Sequence, residues 1–197
     1  MFTAQYRTSA VAVIAGGEGR RLGGLAKATL EIGGAHLIHR VLGRLKSQAS
    51  HVAVCVRAEA GWLDTVKEPV LFDLPAFEGP LAGVASALVW VATLPQIDTL
   101  VTVGVDYPFL PDDLVARLSG KPGIAVACSG GQSHHLIAGW PLSAREKFLQ
   151  GIAAGERAVH RLQARFPSTA VEWPCQPVDP FFNINTPEDL ERARTIS

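Results

Sequence analysis

The sequence predicts an α/β fold: a doubly wound, mostly parallel sheet with helices on both faces, occupying residues 1–197 as one unit. Three observations carry the prediction. Short β-branched apolar runs alternate with amphipathic segments of helical period, which is the pattern of a parallel sheet covered on both sides. The first run, Ala10–Ala15, ends directly in Gly16-Gly17, a strand followed by a sharp turn. No internal repeat, low-complexity tract or linker interrupts the 197 residues.

The elements follow in order. Leu37–Leu45 carries apolar residues at 37, 38, 41, 42 and 45, the spacing of one buried helix face. His51–Val56 is the second strand, Gly61–Lys67 a short helix, and Val70–Phe72 a short strand. Asp73–Pro80 contains Pro75, Gly79 and Pro80 and reads as a loop. Leu81–Leu94 is a mostly buried helix. Thr99–Val103 is a strand followed by a turn at Asp106-Tyr107-Pro108. Asp112–Leu118 is a short helix with Pro111 at its start. Ile124–Cys128 and Ile137–Trp140 are further strands, and Ala144–Gln150 and Arg157–Phe166 are helices. Thr186–Arg194 closes the chain, with a capping hydroxyl, an N1 proline and two acids in its first turn.

Composition narrows the function. Hydrophobic residues make up 48% and charged residues 18%, a globular balance. Eighteen basic residues oppose eighteen acidic ones, and no basic stripe is visible, so polymeric nucleic acid is not an expected partner. The longest apolar run, Leu81–Leu94, falls short of the roughly 20 residues of a membrane span. The first ten residues lack the apolar core of a signal peptide. Cys55, Cys128 and Cys175 are far apart and odd in number, which suits neither a disulfide framework nor a zinc site. A cytoplasmic location and a monomer are the expectations.

Chemistry concentrates after the predicted strands. The stretch from Gly16 to Gly24 is rich in glycine and is followed by Lys27. Glycines allow a backbone to approach phosphates and to aim N–H groups at them. Arg20, Arg21 and Lys27 add positive charge. The same pattern also suits an ordinary glycine turn with solvated arginines. Gly-Lys-Ser and Gly-Lys-Thr are absent, which excludes a P-loop. Gly17-Glu18-Gly19 is followed by Leu22, which excludes the dinucleotide fingerprint. Asp106 follows a strand by a short turn, where a carboxylate suits Mg²⁺ or caps the turn before Pro108. His134 and His135 are adjacent and face opposite ways on a strand, which disfavours a metal pair. Cys55 is expected to be buried and inert.

The stretch Ile14-Ala15-Gly16-Gly17-x-Gly19-x-Arg21-Leu22-Gly23-x-x-x-Lys27 resembles the signature loop of nucleotidyltransferases. With Gly79-Pro80-Leu81-Ala82-Gly83, Asp106-Tyr107-Pro108, Gly155-Glu156-Arg157 and the segment Asn183–Leu190, it resembles the molybdenum cofactor guanylyltransferase family over nearly the whole chain. The resemblance implies transfer of GMP from GTP to the terminal phosphate of molybdopterin, with Mg²⁺ as cofactor. It implies Arg21, Lys27 and Asp106 as catalytic residues. It implies Ala15, Gly16, Gly17, Gly19, Lys27, Asp73, Gly79 and Asp106 as GTP contacts. It implies Asp106 with Asn183 or Asn185 as metal ligands. Arg57, which follows the second strand, is a weaker candidate to face the nucleoside. Arg157 and Gln132–His135 are candidate molybdopterin contacts. Molybdoenzymes or their chaperones are further candidate partners. One departure stands out: where the family has an Asp-Lys pair, this chain has Ala26-Lys27. Use of CTP, another phosphorylated acceptor, or a catalytically weakened nucleotide-binding homologue are the alternatives.

Overall fold

The computed structural model describes residues 9–17 and 24–196. Seven strands form the main sheet: β1 (Ser9–Ile14), β4 (His51–Val56), β5 (Val70–Phe72), β6 (Thr99–Gly104), β7 (Ile124–Ser129), β8 (Gln132–Pro141) and β9 (Ser168–Trp173). A two-residue pair, β2 (Glu31–Ile32) with β3 (Ala35–His36), makes a small separate hairpin. The main order is β5-β4-β1-β6-β8-β7-β9. All its pairings are parallel except those of β8, which runs antiparallel to β6 and β7. The chain steps from β1 to β4 on one side, then returns to β6 on the other. The switch point therefore lies between β1 and β6, where ligands bind in open α/β sheets.

Burial follows the strand period. Val11 and Val13 of β1 join one apolar layer, while Ala10, Ala12 and Ile14 join the other. The first layer is covered by α1 (Leu37–Leu45) and α3 (Leu114–Leu118), the second by α2 (Pro80–Val91), α4 (Arg145–Ala153) and α5 (Val159–Gln163). The five α1 positions expected inside are all buried. Each aliphatic side chain so placed contributes about 1.5–3 kcal/mol from burial. A third cluster packs Leu30, Ile32 and Leu37 against Ile184 and Ala193, the last on α6 (Pro187–Ile196). It fastens the end of the chain onto the segment after the glycine loop.

Several boundaries differ from the sequence expectation. The segment 61–67 is a 3-10 turn over Gly61–Thr65. Helix α2 starts at Pro80 and stops at Val91; Thr93 and Leu94 instead close tight turns onto Trp90 and Val91. Helix α3 begins at Leu114, two residues late, and α5 covers only Val159–Gln163 of 157–166. The amides of Arg157 and Ala158 are capped by the Glu156 carboxylate rather than continuing a helix. Strand β8 is ten residues long, well beyond Ile137–Trp140, because Gly130 and Gly131 turn β7 straight back on itself with positive φ of 54° and 77°. Strand β9 has no counterpart in the sequence expectation: it is an edge strand with a mostly exposed surface, so it lacks the apolar run that marks the others.

Candidate active site

The carboxyl ends of β5, β4, β1 and β6 open onto a cleft of about 900 Å³. Main-chain bonds lace these ends together: Ala15 N–H to the Cys55 carbonyl, Asp73 N–H to that of Val56, and Val105 N–H to that of Ile14. The cleft is therefore a rigid product of the sheet. Gly16 lines it, and a Cβ there would lie 3.3 Å from Asp73 Oδ2 and 3.4 Å from the Arg57 nitrogen. Only a bare backbone leaves that corner open.

Asp106 follows β6 at the centre of the cleft. Its Oδ2 accepts from Lys27 Nζ at 2.7 Å, and the same ammonium donates to Asn185 Oδ1 at 2.6 Å. The Lys27 and Asp106 side chains are only 15% and 16% exposed. These three residues come from distant parts of the chain and converge on one point. Gly104 makes room for them: a Cβ on it would meet Asp106 Oδ1 at 2.5 Å and the Tyr107 ring at 3.0 Å. Asn185 is set by the start of α6. Its N–H and that of Thr186 both donate to Asp189 Oδ2 at 3.0 Å, while the Asp189 N–H donates to Thr186 Oγ1. This is a reciprocal capping box. Burial pushes the Asp189 carboxyl up, but the two amides and the Thr186 hydroxyl outweigh it and hold it below the usual range.

At the β5 end, Asp73 faces the cleft with Oδ1 buried and unpartnered. Burial raises its pKa, and the nearby Arg57 charge partly opposes that. Ser86 on α2 anchors the loop carrying Asp73, accepting from the Leu74 N–H and donating to the Phe72 carbonyl. Gly79 precedes Pro80 with φ 66° and ψ −161°, a conformation open essentially to glycine alone.

Of the residues singled out from sequence, Gly16, Gly17, Lys27, Arg57, Asp73, Gly79, Asp106 and Asn185 all line the cleft. Ala15 instead packs on the core behind it. Asn183 turns away from the lining: its Nδ2 donates to the Tyr107 hydroxyl at 3.2 Å, and its Oδ1 is buried and unpartnered. Gly19, Arg20 and Arg21 lie outside the described residues. His134 is buried, bonded through Nε2 to Ser129 and packed on Phe181, and burial lowers its pKa. His135 points the other way, onto Gln163. Glu156 binds Arg161 and Arg165, a structural clasp beside Arg157. Gly104, Ser86 and Leu136 escaped the sequence reading; the first two sit inside regular elements, and nothing local marks them. Leu136 lines the cleft from the stretch of β8 where the register shifts opposite Val126 and Ala127.

The donor set suits a hard cation. Mg²⁺ takes one or two protein carboxylates and completes its shell with water and phosphate oxygens. Here one carboxylate and one amide oxygen already converge on a positive charge. Among the described residues no group of three His, Cys, Asp or Glu side chains could hold a metal by itself. No helix among them is long and apolar enough to cross a membrane.

A switch-point glycine turn, an aspartate at the end of the neighbouring strand and a lysine on that aspartate place this chain among the nucleotidyltransferases. The MobA-like NTP transferase domain matches residues 11–169, and the chain belongs to that family. A protein of Rhodopseudomonas palustris named molybdenum cofactor guanylyltransferase is 40% identical over 202 residues, covering 98% of this chain and 96% of its own length. One of the same name from Rhizobium johnstonii is 42% identical, covering 92% and 89%. Among solved structures, the molybdopterin-guanine dinucleotide biosynthesis protein A of Archaeoglobus fulgidus matches with a TM-score of 0.74 at 27% identity, over 94% of this chain and 97% of that one. The 2-C-methyl-D-erythritol 4-phosphate cytidylyltransferase of Thermus thermophilus, with a TM-score of 0.71 and 23% identity, covers 95% of this chain and 97% of its own and shares the fold.

Proposed function

We propose that residues 1–197 act as one molybdenum cofactor guanylyltransferase domain, transferring GMP from GTP to the terminal phosphate of molybdopterin and releasing pyrophosphate. The convergence of Lys27, Asp106 and Asn185 at the centre of the cleft carries the reading. The relatives named for that activity support the choice of substrates.

An oxygen of the molybdopterin phosphate attacks the α-phosphorus in line. The new P–O bond forms as the bond to pyrophosphate breaks. The attacking oxygen is already anionic, so no general base is needed. The protein's task is positioning and charge stabilisation. The backbone at Gly16 and Gly17 and the charges of Lys27 and Arg21 receive the triphosphate. Asp73, against Gly16 and Arg57, accepts from the nucleoside, where a carboxylate suits the N1–H and amino group of guanine. Gly79 shapes the same end. Asp106 with Asn185 would hold Mg²⁺, which when bound neutralises phosphate oxygens. Asn183 supports this arrangement through Tyr107. Ala26 stands where the family pattern has an acid, and Asp106 provides a carboxylate beside Lys27.

The test is a paired titration with GTP and CTP in Mg²⁺, followed by pyrophosphate release with molybdopterin. GTP preference and turnover are expected. CTP preference would move the protein to cytidylyl transfer, and binding without turnover would make it a nucleotide-binding homologue.

A further inference from the structure

The proposed roles of Lys27 and Asp106 compete in the arrangement observed. Lys27 Nζ lies 2.7 Å from Asp106 Oδ2 and 2.6 Å from Asn185 Oδ1, on the two oxygens proposed for the cation. A divalent ion bound to these side chains would stand close to the ammonium, and like charges that close repel in a half-buried cleft. The repulsion favours displacement of one of the two. Asp106 is held by its turn, with its carbonyl bonded to Ile184 N–H, and Asn185 is held by the α6 capping box. Lys27 carries a compact charge on a flexible four-carbon stem, and can move without disturbing the backbone.

We infer that Lys27 is the resident cation of the nucleotide-free cleft, holding the metal position until a triphosphate draws its ammonium away. The inference rests on the nucleotidyltransferase reading above. Before nucleotide binds, the lysine neutralises a largely buried carboxylate that would otherwise be costly to leave unpaired. An incoming triphosphate offers the ammonium better partners and supplies the remaining oxygens of the metal shell. Metal binding thus depends on nucleotide, and the protein avoids filling its cleft with free divalent ions.

Mn²⁺, read by its electron paramagnetic resonance signal, tests this on the full chain. Wild type should bind Mn²⁺ weakly alone and at least tenfold more tightly with a non-hydrolysable GTP analogue. Lys27→Met should bind Mn²⁺ without nucleotide at least tenfold more tightly than wild type, and lose most of the nucleotide dependence. Arg44→Met removes an exposed charge outside the cleft, paired with Asp112, and should leave nucleotide-free affinity nearly unchanged. Equal affinities for wild type and Lys27→Met overturn the inference. So does an equal gain in Arg44→Met, which would mean a general charge effect. No nucleotide-free binding by Lys27→Met also overturns it. In that last case the wild-type signal with the analogue still reports separately on the metal-dependent function: its presence keeps that reading, and its absence removes both.

Discussion

The main-chain N–H of Ile184 donates to the carbonyl of Asp106 at 3.1 Å. This bond joins the turn after β6 to the segment before α6, and makes Asp106 and Asn185 parts of one rigid unit. The unit depends on the capping box at Thr186 and Asp189. Thr186→Ala should cost about 1 kcal/mol, the usual loss of a capping hydroxyl, measurable by urea denaturation. Turnover should fall more than that stability loss explains, because Asn185 loses its fixed backbone. A variant with full turnover would separate the cap from the site.

Among the described residues Asp106 is the one carboxylate on the Lys27 ammonium, and Asp106→Ala removes it. Pyrophosphate release should drop by at least about 100- to 1,000-fold, the scale expected for a preorganised charge at a reacting phosphate. The circular dichroism spectrum should not change, since the residue lies outside the apolar layers. Undiminished turnover would remove Asp106 from the mechanism.

Gly104→Ala acts on the same residue from behind. The added methyl would sit 2.5 Å from Asp106 Oδ1, so the carboxylate must shift. Overpacking of this kind costs about 1–3 kcal/mol. Turnover should fall while GTP affinity changes little, because the end of the cleft proposed for the nucleoside lies at Asp73. A lower melting temperature with normal kinetics would mean that Tyr107 alone absorbs the strain.

Asp73→Asn separates stability from binding. Burial raises the folded pKa of Asp73 above its unfolded value. Its contribution to stability is therefore fully present below the unfolded pKa and is lost as pH rises through the folded pKa. The asparagine variant should match wild type at acid pH and melt higher than wild type near neutrality. GTP affinity should fall at least tenfold in the same variant, because a carboxylate accepts both guanine N–H groups whereas an amide brings a donor against them. A melting difference that does not change with pH would exclude Asp73 as the source.

What was legible in the sequence was local. The strands His51–Val56 and Val70–Phe72 and the helix Leu37–Leu45 match their expected bounds, because periodicity and β-branching report directly on burial. Gly16, Gly17 and Asp106 were legible because each lies just after a strand, where the fold rule puts ligands, while Asp73 and Gly79 were expected from the family resemblance. Less was legible where a segment takes its structure from a neighbour. Strand β9 is stabilised by pairing with β7 rather than by its own apolar content.

The sequence by itself determined the class of the fold and the identity of the charged groups that follow its strands, since these follow from the period of apolar residues and from glycine-marked turns. Only the tertiary structure decided which groups meet. Asn183 and Asn185 are indistinguishable as letters two apart, yet one bonds Tyr107 inside the protein and the other shares the Lys27 ammonium with Asp106. That choice is made by the packing of Ile184 and Ala193 against Leu30, Ile32 and Leu37, contacts between segments some 150 residues apart along the chain. A residue pattern of short range carries no record of such a contact, because the free energy that fixes it belongs to the apolar surface both segments bury together.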